Sequence, residues 1–159
     1  MKELMNSFPS FGEVVWLGVR PDRRAEIRVV DRVEIDLELG IVGDHFAGAS
    51  GAKRQVTLLQ YEHLDVVARL LQQERIDPAD LRRNIVVRGI NLLALKEREF
   101  KVGEAVFYGT GDCPPCSRME ENLGVGGYNA MRGHGGITAR VIEPGSVSVG
   151  SQVAAISLD

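Results

Sequence analysis

Apolar residues in this chain gather into short, β-branched runs separated by polar or glycine-bearing breaks. The runs are EVVWLGV at 13–19, EIRVVDRVEI at 26–35, QVTLL at 55–59, NIVVRGI at 84–90, AVFYG at 105–109, TARVIE at 138–143 and SVSVGSQVAAI at 146–156. Stretches of this length and composition fit a pleated, half-buried surface better than a helix. Seven or more of them predict a mainly β domain, a barrel or a sandwich, with a few helical insertions. One segment departs from the pattern. Between 61 and 73, Leu64, Val67, Ala68 and Leu71 recur at steps of three and four and so share one helical face, which predicts a helix packed on the β structure by that stripe. The following DPADLRRN at 77–84 carries a start signal, with Asp77 placed to cap, Pro78 at the first helical position and Asp80 near the positive end. This turn delivers Arg82, Arg83 and Asn84 to the mouth of a strand, either as a solvated corner or as part of a site.

The length of 159 residues allows one domain with its own core, and no linker, repeat or low-complexity segment divides it, so residues 1–159 are expected to form a single unit. A charged fraction of 26% and a hydrophobic fraction of 44% are those of an ordinary soluble protein. No run approaches the roughly 18 apolar residues of a membrane span, and MKELMNSFPSFGEVV at 1–15 lacks the apolar core of a secretory signal. The expected compartment is a reducing cytoplasm, where thiols stay free. A net charge of −3 and a pI near 5.7 argue against broad nucleic-acid binding. Only four of the 19 basic residues are Lys, and the other fifteen are Arg. Genome composition is one source of such a bias. The other is chemical, since the planar guanidinium suits phosphate and carboxylate oxygens.

Both cysteines fall in TGDCPPCSRMEENLG at 110–124. Ser117 and Glu120 have the spacing of a capping box, so a short helix is expected to begin at Arg118 and to stop at Gly124. Cys116 then precedes the cap, where free amides and the helix dipole favour an anion, with Arg118 as a second source of positive potential. Pro114 and Pro115 stiffen the loop that presents it. Four readings follow from the C-x-x-C spacing: a zinc clip lacking its second pair, a dithiol redox pair outside its usual βαβ setting, two inert cysteines in a turn, or one reactive thiol at Cys116. MRGHGGITARV at 131–141 follows, with Gly133, Gly135 and Gly136 around His134 leading into a strand. Such backbone approaches anions closely, although it lacks the P-loop signature and also suits a simple hairpin turn.

Taken in order, GIVGDHFAG (40–48), KRQVTLLQYEHL (53–64), LRRNIVVRGINL (81–92), VGEAVF (102–107), CPPCSRME (113–120) and RGHGGITARV (132–141) resemble the MOSC domain family over residues 14–153. The resemblance implies a distorted β-barrel with a few peripheral helices, related to the pyruvate kinase β-barrel. It also implies a pocket for a molybdenum cofactor, a molybdopterin with an anionic phosphate tail. The family's hallmark cysteine falls on Cys116, implied to be a molybdenum ligand or a sulfur carrier; Cys113 is absent from many relatives, and its proximity to Cys116 leaves open a catalytic role as a resolving thiol. Arg82 and Asn84 match the family's Arg-x-Asn and are implied to meet phosphate or pterin edges. Arg54, Asp44, His45 and Arg132 lie in the other matching blocks as implied cofactor contacts. Stand-alone relatives include reductases of N-hydroxylated compounds. No lysine sits in a pyridoxal phosphate context, so the resemblance implies a separate sulfur donor or electron-transfer partner. One departure is Ser151, where many relatives carry Asp. A carrier module without turnover and a C-x-x-C redox protein are the alternatives.

Overall fold

The computed structural model describes residues 1–45 and 52–159. Eleven strands form among them: β1 Gly12–Val19, β2 Arg28–Val30, β3 Arg32–Asp36, β4 Gly40–Ile41, β5 Val56–Gln60, β6 Ile85–Arg88, β7 Glu99–Val102, β8 Ala105–Asp112, β9 Ile137–Glu143, β10 Gly145–Ser148 and β11 Gln152–Ala155. The helices are α1 Lys2–Met5, α2 Tyr61–Leu70, α3 Ser117–Leu123 and α4 Gly127–Met131, with 3-10 turns at Pro78–Leu81 and Leu92–Leu95.

Seven strands in the order β11, β7, β8, β9, β5, β6, β1 close into a barrel, because β1 pairs with β11 through Gly12↔Val153 and Glu13↔Gln152. β2 extends the sheet beyond β1, and β10, β3 and β4 make a separate small sheet. Barrel, rather than sandwich, is therefore the outcome. Among the described strands all pairings are antiparallel except β5 with β6, which run parallel and are joined through α2 and the 77–84 turn.

The alternation along β5 and β6 shows how the barrel wall is built. Leu58, Ile85 and Val87 point into the barrel core with Phe100, Phe107 and Val141, while Leu59 and Val86 point outward into a second cluster with Leu64, Val67, Met119 and Met131. Both faces of these strands are thus dry, which is why their sequences read as continuous apolar runs. Each such side chain contributes about 1.5–3 kcal/mol by leaving water. The α2 stripe of Leu64, Val67 and Ala68 supplies the outer layer as its spacing predicted.

Two predicted strands are each divided in the structure. The run at 26–35 breaks at Asp31 into β2 and β3, and the run at 146–156 breaks around Gly150 into β10 and β11. Both breaks meet, with the Val149 N–H donating to the Asp31 carbonyl (2.9 Å), so the chain crosses between the two sheets at a common corner. Buried Arg98 fastens the first and last segments together by donating to the Met5 and Ile156 carbonyls and to Asn6 Oδ1. Among the described residues no helix is long and apolar enough to cross a membrane.

Candidate functional site around the cysteine loop

The site is built where the end of β8, the start of β9 and the turn before β6 converge. Asp112 pairs with Ile137 at the end of the β8–β9 ladder, and the Cys113 N–H continues it by donating to the Gly136 carbonyl (2.9 Å). The cysteine loop and the glycine-rich loop therefore leave adjacent strands side by side. The Gly43–Asp44–His45 turn is tied to the end of β1: Asp44 Oδ1 accepts from the Arg20 N–H (2.8 Å) and the His45 N–H donates to the Arg20 carbonyl (2.6 Å). The remainder of the 40–48 block, from 46 onward, lies outside the described residues.

The short helix after the cysteines forms, but its cap differs from the expected one. Cys116, with an extended backbone, is the N-cap, and Ser117 is already helical and makes no capping bond. Glu120 does not reach back to Ser117. Its carboxylate accepts from the N–H groups of Gly126 (2.9 Å) and Tyr128 (3.1 Å), which organises the turn from α3 into α4 and holds the Glu120 carboxyl below its ordinary range. A carboxylate with two backbone donors in reach has no need of a third at the helix start. Gly124 ends the helix with a positive φ, as expected.

The two thiols occupy different environments. Cys116 is exposed, whereas Cys113 is 2% exposed beneath the loop. Around them stand five arginines. Arg82 sits in a left-handed conformation after the 3-10 turn. Burial, then the charges of Arg20 and Arg118, pull Arg82 below its ordinary value, while Cys116 acts in the opposite sense. Arg54 is within electrostatic reach of Arg83. Among the described residues the salt bridges are Arg32–Glu34, Arg69–Asp65, Arg88–Glu13 and Lys96–Asp112, so none of these five arginines has a carboxylate partner. Arg20 Nε is shielded from solvent with no hydrogen-bond acceptor. Clustered cations without counter-charges form a receptor for an anion.

Arg132 lines a cavity of about 270 Å³ between the two loops, together with Asp112, Cys113, Pro114, Pro115, Tyr128 and the glycines Gly133, Gly135 and Gly136. A larger concavity of about 620 Å³ runs along α2, past Tyr61, Leu64, Ala68 and Ile76, and contains none of the candidate residues. The smaller one takes Cys113 and Arg132 from the candidate residues. Asn84 has a structural role: its Oδ1 accepts from Thr57 N–H and Oγ1 and its Nδ2 donates to the Gly18 carbonyl, tying the start of β6 to β5 and β1. Among the described residues no three His, Cys, Asp or Glu side chains converge as a metal cage.

His134 is held from below the glycine-rich loop. Its Nδ1 faces the Ala130 carbonyl (3.0 Å), which only accepts, so Nδ1 carries the proton. Its ring meets His63 of α2 edge-on at 4.9 Å between centroids. Burial, then the charge of His134, hold His63 below its ordinary value, with Glu62 opposing. A histidine depressed in the folded state is protonated more readily when unfolded, so stability is complete above about pH 6.5 and declines as pH falls through that value toward the folded one. Urea melts between pH 7.5 and 5.5 should show this decline, and His63→Gln should flatten it; an unchanged slope in the variant would assign the decline to other groups.

Two features escaped the sequence-based reading: the place of Arg20, and the burial of Arg83, which the sequence left as a solvated corner or part of a site. Arg20 is paired with Arg82 only by the fold, at the end of a strand that offers no local signal. Arg83 had one: it stands two residues before Ile85 and four before Val87, both of which face the core, so the strand period carries the buried face back to position 83.

Comparison with known proteins agrees with this architecture. Residues 44–154 match the MOSC domain family. No curated protein matches the sequence. Among solved structures, the YuaD protein from Bacillus subtilis superposes with a TM-score of 0.78 at 21% identity, over 94% of this chain and 98% of that one. YiiM from Escherichia coli does so with a TM-score of 0.72 at 21% identity, over 95% and 72%. YiiM from Geobacillus stearothermophilus gives 0.73 at 14% identity, over 91% and 75%. At these identities the likeness concerns the fold. With the family match spanning most of the sequence and a closed barrel carrying its cysteine loop beside a glycine-rich turn, the chain belongs to the MOSC domain family.

Proposed function

We propose that the protein binds a molybdenum cofactor at the cysteine loop, with Cys116 as the sulfur that meets the metal or carries sulfur to it. The observation that supports this most directly is the set of unpaired guanidinium groups beside the one exposed thiol. A pterin dithiolene with a phosphate tail is anionic and sulfur-rich, and the donor set fits both properties: arginine forks for oxyanions and a soft thiolate for a soft metal. Arg82, Arg20 and Arg118 would take the anionic oxygens, with Arg132 lining the adjoining cavity. Arg54 adds positive potential through its reach to Arg83. Asp44 and His45 act at one remove, by holding the backbone of Arg20.

The cofactor, when bound, supplies two-electron redox chemistry. In the enzymatic form of the reading the protein is a reductase of N-hydroxylated compounds that receives its electrons from a partner protein. The exposure of Cys116 favours a second form, a carrier that presents a persulfide to a partner enzyme. The burial of Cys113 sets it apart from an accessible dithiol pair.

Anaerobic purification followed by metal and sulfur analysis tests the reading. Stoichiometric molybdenum that falls at least tenfold in Cys116→Ser, together with reduction of an N-hydroxylated base, is the result expected of the enzyme. A persulfide on Cys116 without molybdenum identifies the carrier. Molybdenum retained in full by Cys116→Ser, or Cys113→Ser proving as damaging as Cys116→Ser, would overturn the assignment to Cys116.

A further inference from the structure

Arg83 is among the largest fully buried side chains, at 2% exposure, and it has no carboxylate partner among the described residues. Its guanidinium donates to four carbonyls instead. Nε reaches Gly135 (2.8 Å), Nη1 reaches Leu81 (3.0 Å), and Nη2 reaches Cys113 (3.4 Å) and Pro114 (3.3 Å). One planar group thus bonds both walls of the site, the cysteine loop on one side and the glycine-rich loop on the other. Gly135 lies so close that a Cβ there would fall 2.1 Å from the Cys113 carbonyl and 3.1 Å from Nη2.

A guanidinium does not give up its proton in a protein, and neutral carbonyls satisfy its donors without cancelling its charge. The neighbours able to carry negative charge are the two cysteines: burial lowers the Arg83 value, Cys113 and then Cys116 act against that, and Arg54 acts with it. The charge therefore has an electrostatic address as well as a mechanical one.

We propose that Arg83 is the positioning residue of the site: its guanidinium locks the cysteine loop to the glycine-rich loop and sets a fixed positive charge under the loop that carries Cys116. The inference rests on the reading of Cys116 as the reactive residue. It assigns Arg83 no direct contact with the cofactor, in contrast to Arg82, whose side chain is only half-buried.

Alkylation of Cys116 in the full chain, resolved by peptide mass spectrometry, separates charge from scaffolding. Anionic iodoacetate and neutral iodoacetamide attack the same sulfur, so the ratio of their rates reports local potential and is insensitive to a general loosening. Arg83→Met and Arg83→Gln should each lower that ratio roughly threefold at low ionic strength, and Arg83→Lys should restore most of it. Leu81→Ala, a neutral truncation in the same buried turn, should lower Tm and leave the ratio unchanged. Trimethylamine N-oxide in the cold supports folding of the charge-free variants. A ratio unmoved in both charge-free variants, or lowered equally by Leu81→Ala, would overturn the role of Arg83. Such a result beside loss of molybdenum in Cys116→Ser would leave the functional reading standing, whereas full molybdenum in Cys116→Ser would remove that reading whatever Arg83 does.

Discussion

Gly136→Ala should destabilise the protein by about 4 kcal/mol or more, lowering Tm by roughly 8–16 °C for a chain of this size. The residue has a φ of +84°, where a Cβ is strained, and the added carbon would lie 1.8 Å from the Leu58 carbonyl and 2.9 Å from its carbon. Those atoms belong to the β5 backbone, which cannot swing aside as a flexible side chain would. Relief requires β9 to part from β5, and that opens the barrel where Leu58 pairs with Ile137. The same shift would break the Cys113 N–H bond to the Gly136 carbonyl, so loss of the cysteine-loop conformation should accompany the loss of stability. Calorimetry checks the first effect and Cys116 alkylation the second. A variant that melts with the parent would mean that the glycine-rich loop is held more loosely than this packing implies.

Asn84→Ala should cost about 3 kcal/mol, seen as a fall of Tm in protein carrying no cofactor. Removing the amide takes the acceptor from the Thr57 hydroxyl and N–H and a donor from the Gly18 carbonyl at a junction of three strands, while the backbone of Asn84 stays engaged, its N–H with Thr57 Oγ1 and its carbonyl with the Gly18 N–H. Asn84→Asp keeps the acceptor and loses the donor, so its penalty should be smaller unless the new charge is driven toward protonation. A cofactor contact without structural duty would behave differently, reducing cofactor affinity and leaving the cofactor-free melt in place. Thermal denaturation of the cofactor-free variants decides between them.

The parts of this architecture that were legible in the sequence are those governed by local periodicity. The runs around β1, β5, β6, β8 and β9 announced themselves because both faces of the central strands are buried, and α2 did so through its three- and four-residue steps. β7 was not legible, since Glu99–Val102 alternates exposed and buried over only four residues and two of them are charged. The division of two long runs at Asp31 and Gly150 escaped because the corner is defined by a contact between segments far apart in sequence. The capping box at Ser117 was misread for a related reason: spacing alone does not reveal that Glu120 has better donors in Gly126 and Tyr128. For the site, Cys116 and Arg82 were accessible from motif order, and the structure brings them together. The convergence of Arg20 with Arg82 was not, because one follows β1 and the other precedes β6, and they meet only once those two distant strands pair.

That closure has a consequence for biosynthesis. The seam joins residues 12–13 to 152–153, so a ribosome must reach residue 153 before β1 acquires its second neighbour there. At ordinary elongation rates the interval is on the order of ten seconds. Throughout it, the Gly12–Glu13 end of β1, beyond the Leu17–Val19 stretch that β2 covers, is a vacant template for any passing extended segment, and its safe passage depends on what escorts the nascent chain.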